Sequence, residues 1–160
     1  MGPKILKHKI FTIGYEGATQ EALLASLQPH GISMLVDVRA VPLSRKKGFS
    51  KNVLRHFLEE NEIQYRHLRT LGTPPEGRDA VRKNKLVLFR EIFNAHLQTV
   101  EAQQGMEHLE ILARENTICL LCFEADPGHC HRTIIADELH ARTGFDIVPL
   151  FIAPPETAVE

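Results

Sequence analysis

Ile32-Ser33-Met34-Leu35-Val36-Asp37-Val38 is apolar at all positions but Ser33 and Asp37, and it does not alternate. A strand with one face in water alternates apolar and polar residues, whereas a strand covered on both faces reads as a nearly continuous apolar run. Thr117-Ile118-Cys119-Leu120-Leu121-Cys122-Phe123 has the same character and leads, after a short polar stretch, into a helical pattern opening at about His131. Strands of this kind predict a mostly parallel sheet with helices on both faces.

Strand and helix patterns alternate outward from these runs. Lys9 to Gly14 is a first strand, β-branched and ended by glycine. Thr19 can cap a helix whose Leu23, Leu24 and Leu27 form an apolar stripe ending before Gly31. Ser50 caps a second helix with Val53, Leu54, Phe57 and Leu58 inward, and Ile63 to Leu68 alternates as a third strand. Arg69 to Asp79 holds Gly72, Pro74, Pro75 and Gly77, so it is expected to be a long loop of the kind that forms lids. Helical periodicity covers Leu86 to Leu97 and Met106 to Leu112. After the fourth strand, Ile134, Ile135 and Leu139 mark the buried side of a helix stopped by Gly144. Phe145 to Leu150 is a fifth strand, and Pro149 puts it at an edge. The expectation is a single three-layer α/β domain over residues 1–152 with about five strands, followed by a polar, disordered tail over 153–160.

Composition narrows the class of function. The 160 residues are 43% hydrophobic and 24% charged, values of an ordinary globular domain. No apolar run approaches the ~20 residues that span a bilayer. Met1 to Lys7 lacks the apolar core of a signal peptide, and Leu6 stands where a myristoylation signal has Ser or Thr. A cytoplasmic protein with no membrane partner is expected. Three cysteines, an odd number, argue against a disulfide framework. The net charge of −1 carries no global signal for nucleic acid, yet Arg39, Arg45, Lys46, Lys47, Lys51 and Arg55 crowd one segment with no acid among them.

Ligands of parallel α/β sheets bind beyond the carboxyl ends of the strands. The unusual polar residues fall there: Tyr15 after the first strand, Asp37 and Arg39 after the second, His67 after the third, Cys122 and Glu124 after the fourth. The stretch from Cys122 to Arg132 gathers thiols, imidazoles, carboxylates and a guanidinium. Cys130, His131 and Arg132 begin a helix, where unpaired N–H groups and the helix dipole lower a thiol pKa and attract anions. Cys130 there suits a thiolate nucleophile, with His131 or His67 as base and Arg132 holding an anionic group. The plain alternative is a half-buried cysteine beside a surface arginine. Glu124 suits acid–base work, while Asp126 before Pro127 and Gly128 is turn chemistry.

Asp37 and Arg39, two apart on an extended chain, share a side, as a catalytic pair or a structural one. Tyr15, Arg39, Arg45, Lys46 and Arg132 are the candidate anion-binding residues. The turn from Ser44 to Lys51 suits phosphate, with Phe49 available to stack on a base, although a solvated charge run is the commoner explanation. Cys122, Cys130 and His131 carry zinc-donor atoms, but their spacing departs from the paired knuckles of common zinc motifs. Metal is therefore the weaker reading, and no cofactor is required by the sequence. Cys119, of opposite parity to Cys122, is expected in the core on the other face.

Thr12-Ile13-Gly14-Tyr15, Val36-Asp37-Val38-Arg39 with Pro42, Ser44 and Arg45, Gly48-Phe49, Tyr65-Arg66-His67-Leu68 with Leu71-Gly72, and Leu121-Cys122-Phe123-Glu124 with Pro127 and Cys130-His131-Arg132 occur in this order. The chain in this respect resembles the family called domain of unknown function 488, over about Ile10 to Leu150. The resemblance implies a compact α/β fold with these motifs meeting at one site, and it implies no particular reaction. Members commonly continue the His-Leu segment with proline and a double glycine. Arg69 and Leu71-Gly72-Thr73 depart from that, so the lid loop is expected to differ.

The leading expectation is an enzyme acting on a phosphate-bearing ligand, a nucleotide or nucleic acid, with Cys130, His131, Glu124, His67 and Asp37 as its candidate catalytic residues. The alternatives are a non-catalytic nucleic-acid or regulatory binding module on the Arg39 to Arg55 surface, and a metal-site protein. Oligomeric state is not legible in the sequence.

Overall fold

The two continuous apolar runs become neighbours at the centre of the sheet. The computed structural model describes residues 8–152, so the expectation for the tail lies outside the described residues. Strand β2 (Met34–Asp37) pairs in parallel with β4 (Ile118–Cys122), and both are buried along their whole length. Strand β1 (Lys9–Gly14) covers the other side of β4, while β3 (Gln64–His67) and β5 (Asp146–Pro149) form the edges. The order is β3-β2-β4-β1-β5, with every pairing parallel.

Alternate side chains of these strands feed two separate cores. Phe11, Ile13, Leu35, Cys119 and Leu121 pack under helices α1 (Gln20–Leu27) and α2 (Lys51–Glu60). Ile10, Met34, Val36, Leu120 and Cys122 pack under α3 (Pro75–Arg82), α4 (Leu86–Leu97), α5 (Val100–Glu115) and α6 (His131–Thr143). Cys119 and Cys122 thus lie on opposite faces, as their parity requires. Right-handed crossovers explain the division, because reversing the direction of travel across a parallel sheet forces a change of face. From β1 to β2 to β3 the chain runs one way over one face. From β3 to β4 and on to β5 it returns over the other. Strand β4 therefore leaves the sheet toward the opposite face from both its neighbours, and a crevice opens at its carboxyl end.

Local sequence accounts for most element boundaries. The Thr19 hydroxyl accepts from the Ala22 N–H at 3.0 Å, and Gly144 ends α6 in the left-handed region. The stretch expected as a loop from Arg69 to Asp79 is instead a 3-10 turn at Arg69–Leu71 followed by α3, with Pro75 in the first helical turn, where its missing N–H costs nothing. Val53, expected inward, is exposed, and Leu54 and Leu58 carry the buried stripe of α2. Ser50 sits at the start of α2, but its hydroxyl accepts from the Ser44 N–H rather than capping the helix. Among the described residues, no helix is long and apolar enough to cross a membrane.

Gly14 faces Cys122 across the β1–β4 ladder, and there the chain leaving β4 folds close over β1. A Cβ on Gly14 would overlap the Glu124 carbonyl, which is backbone and cannot step aside. Gly14→Ala is expected to cost about 2–3 kcal/mol by overpacking. Gly31→Ala, left-handed but in open space, should cost about 1 kcal/mol. Urea denaturation of both variants checks the ranking, and equal losses would refute the close approach as the constraint.

Candidate functional site

At the carboxyl end of β2, Asp37 is fully buried and its carboxylate is saturated with donors. Arg39 donates to it from its backbone N–H at 3.0 Å, from Nε at 2.9 Å and from a terminal nitrogen at 2.7 Å, and the Tyr65 hydroxyl of β3 donates as well. The other terminal nitrogen of Arg39 donates to the Tyr15 hydroxyl at 3.1 Å and the Phe49 carbonyl at 2.7 Å. Burial works against the Arg39 charge, but Asp37 outweighs it and holds the guanidinium protonated. Burial first, and then the Asp37 charge, push the Tyr65 hydroxyl well above the ordinary phenol range. Tyr15 stacks on Phe49 with centroids 4.6 Å apart, so Phe49 is closed off beneath it rather than available to a base.

The second group of residues joins the end of β4 to the start of α6. Arg132, fully buried, donates to the Cys122 sulfur at 2.8 Å and to the carbonyls of Glu124 and Ala125, while its Nε has no partner. It pins the loop rather than lining the cleft. The odd cysteine count predicts no disulfide, yet the Cys122 and Cys130 sulfurs are in direct contact as a disulfide pair, with Cα atoms 7.1 Å apart. His131 Nε2 lies 2.5 Å from the Val38 carbonyl. A carbonyl only accepts, so Nε2 carries the proton and the lone pair sits on Nδ1, 3.7 Å from the Cys130 sulfur. Burial holds the His131 pKa down at about 4. Glu124 lies 3.7 Å from the Cys122 sulfur, and burial raises its pKa above the usual carboxylate range.

Tyr15, Arg39, Arg45, Lys46, Cys122, Glu124 and His131 all line one cleft of about 590 Å3. Its apolar wall is Val41, Leu43, Val81, Phe89 and Phe123. Arg78 and Arg82 of α3 complete the cationic rim. They escape the sequence reading because their helix lies largely in the stretch taken as a loop; Pro75 with Glu76 at a helix start was the available signal. Four candidates stand apart, two of them, Cys130 and Arg132, buried at the start of α6 outside the cleft lining. Asp37 is sealed beneath the cleft. His67 bonds the Arg39 carbonyl at 2.7 Å and lines a separate hollow with Lys51, Arg55 and Arg66.

The family model for Domain of unknown function DUF488 matches residues 19–139, and the chain belongs to that family. The match takes in the Asp37–Arg39 and Cys130-His131-Arg132 motifs, while Gly14 and Tyr15 lie before it. No curated protein and no solved structure matches the chain.

Two predictions follow from the buried polar network. Asp37→Asn strands the buried Arg39 charge and should cost about 3–5 kcal/mol in urea denaturation. The second concerns pH. Tyr65 has a higher pKa folded than the ~10 of an unfolded chain, so unfolding releases its proton and this contribution to stability falls as pH rises above that value. With two tyrosines and no tryptophan, Tyr15→Phe isolates the signal. Its phenolate absorbance should be missing near pH ~11 while the chain is folded and appear on unfolding.

Proposed function

For this member of the DUF488 family, we propose an enzyme acting on a small ligand that carries a phosphate on an apolar or aromatic body, of mononucleotide size. One observation carries the reading: a cleft that pairs an apolar wall with a strongly cationic rim. Arg45, Lys46 and Arg78 line it against the single carboxylate of Glu124, with Arg82 beside them paired to Asp79 at 3.6 Å. Arg39 adds little net charge, because Asp37 neutralises it. A monocarboxylate needs one such cation, whereas a phosphate has oxygens for several. A volume of about 590 Å3 suits a small molecule better than a track for a polymer strand.

Within that cleft Glu124 is the group suited to move a proton. It is the one carboxylate among the residues lining the cleft, and it faces the space where a ligand would lie. Cys130 is only 2% exposed with its sulfur against Cys122, so the nucleophile's role is not given to it. The basic hollow around His67 is separate, and its residues enter no step.

Calorimetric titration with nucleoside monophosphates and diphosphates, beside their parent nucleosides, tests the binding. Phosphate-bearing ligands should bind and the nucleosides should not, with affinity falling as salt rises. Arg45→Ala and Arg78→Ala should each weaken binding about tenfold or more, the loss of a charge-assisted hydrogen bond. Glu124→Gln should keep affinity and lose turnover of the bound nucleotide, followed chromatographically. Equal binding of nucleoside and nucleotide would overturn the phosphate assignment. Much tighter binding of an oligonucleotide would replace the small ligand with a nucleic-acid strand.

A further inference from the structure

We propose that Cys122 and Cys130, their disulfide reduced to two thiols by exchange with a dithiol that is itself oxidised to a disulfide, form with His131 a tetrahedral site for a zinc-class divalent metal, with a fourth position open to the cleft. The two sulfurs and a ring nitrogen all lie within 4.8 Å of one another, in three residues that are each buried. Cys122 is the last residue of β4 and His131 the first of α6, and Cys130 is the extended residue directly before that helix.

Three features distinguish this cluster from a simple cysteine pair. His131 donates its outer N–H to the Val38 carbonyl and turns the bare Nδ1 toward the sulfurs, the arrangement that orients metal-ligating imidazoles. The Cα atoms of Cys122 and Cys130 are 7.1 Å apart. Relaxed disulfides span roughly 4.4–6.8 Å between Cα atoms. Two thiolates sharing one zinc at about 2.3 Å stand about 3.8 Å apart at the tetrahedral angle, so the wider backbone spacing suits them. Third, the buried Arg132 guanidinium donates to the Cys122 sulfur, a partner that favours the thiolate over the thiol.

Softness selects the metal. Two thiolates and an imidazole favour zinc and its like over magnesium or calcium. Three protein ligands with an open fourth position distinguish catalytic from closed structural zinc sites. Cys122 and His131 both line the cleft floor, so that position faces the space assigned to the ligand. The metal proposal stands on the donor cluster alone and does not depend on the phosphate reading.

Full-length protein, reduced and freed of metal, is titrated with zinc and with cobalt, without any nucleotide. The expected result is one metal per chain. Cobalt should produce the intense visible bands of tetrahedral thiolate coordination, which zinc then displaces. Cys122→Ser and His131→Ala should lose or shift the cobalt spectrum, and Cys119→Ala, altered on the opposite core face, should keep it. If a ligand variant fails to fold, the wild-type stoichiometry and cobalt spectrum still decide the matter. Reduced wild-type protein that takes up neither metal stoichiometrically overturns the site, as does a cobalt spectrum unchanged in folded Cys122→Ser. Nucleotide binding that persists without metal uptake would remove this inference and leave the phosphate reading standing.

Discussion

A carboxylate with no exposure to water is the constraint on which the sheet's functional end depends. Taking Asp37 out of solvent costs several kcal/mol unless its oxygens are filled, and two residues, Arg39 and Tyr65, fill them. Arg39 supplies the charge, Tyr65 a hydroxyl from β3, and Arg39 in turn reaches the Tyr15 hydroxyl after β1 and the Phe49 carbonyl at the end of the basic turn. One buried pair thereby sets the mutual position of three segments that would otherwise be free to diverge beyond the strand ends. Such a pair adds little net stability over apolar packing, because desolvation consumes most of its attraction. Its value here is geometric: any displacement of one segment strands a charge.

Arg132 performs the matching task on the other side of the crevice. Its guanidinium ties the Glu124 and Ala125 carbonyls and the Cys122 sulfur to the start of α6, while Glu16 accepts from the Ala125 N–H and draws the loop back over β1. Both buried arginines are therefore occupied with the protein's own groups. The cations that remain at the cleft rim come from Arg45, Lys46 and Arg78, on the turn after β2 and on α3. The residues that build the cleft therefore differ from those that charge its rim, and on the proposed reading its shape is independent of whether a ligand neutralises that rim.

The sheet was legible because burial on both faces leaves a composition signature that no loop imitates, as in Met34–Asp37 and Ile118–Cys122. The helix start at Thr19 and the stop at Gly144 were legible for the same local reason: each depends on one residue's own hydrogen bonds or backbone freedom. What stayed hidden depends on partners distant in sequence. Pro74, Pro75 and Gly77 read as loop residues, yet proline belongs in a first helical turn, and Gly77 is packed where a Cβ would meet the Thr73 side chain. Arg132 reads as a ligand-binding cation because nothing in its neighbourhood reveals that a set of carbonyls will bury it, whereas the two-residue spacing of Asp37 and Arg39 already offers their ion pair as one of two readings. Phe49 read as a free aromatic for the same reason.

The thiol and imidazole donors show the limit most sharply. Spacing rules for zinc describe local chelation, in which a short turn alone brings two cysteines together. Cys122 and Cys130 are separated by a loop and a 3-10 turn, and by those rules they are poor partners. In a parallel sheet, however, a strand's carboxyl end and the start of the helix that follows lie over the same crevice whatever the loop between them contains. Topology therefore does the work that spacing does in a knuckle. Val38, which orients His131 through its carbonyl, follows directly on the end of β2 and carries no side-chain signal of that role. A cluster assembled this way is readable only after strand order is known, because the order β2-β4-β1 puts the His131 ring against Val38 and the Glu124 loop over Gly14.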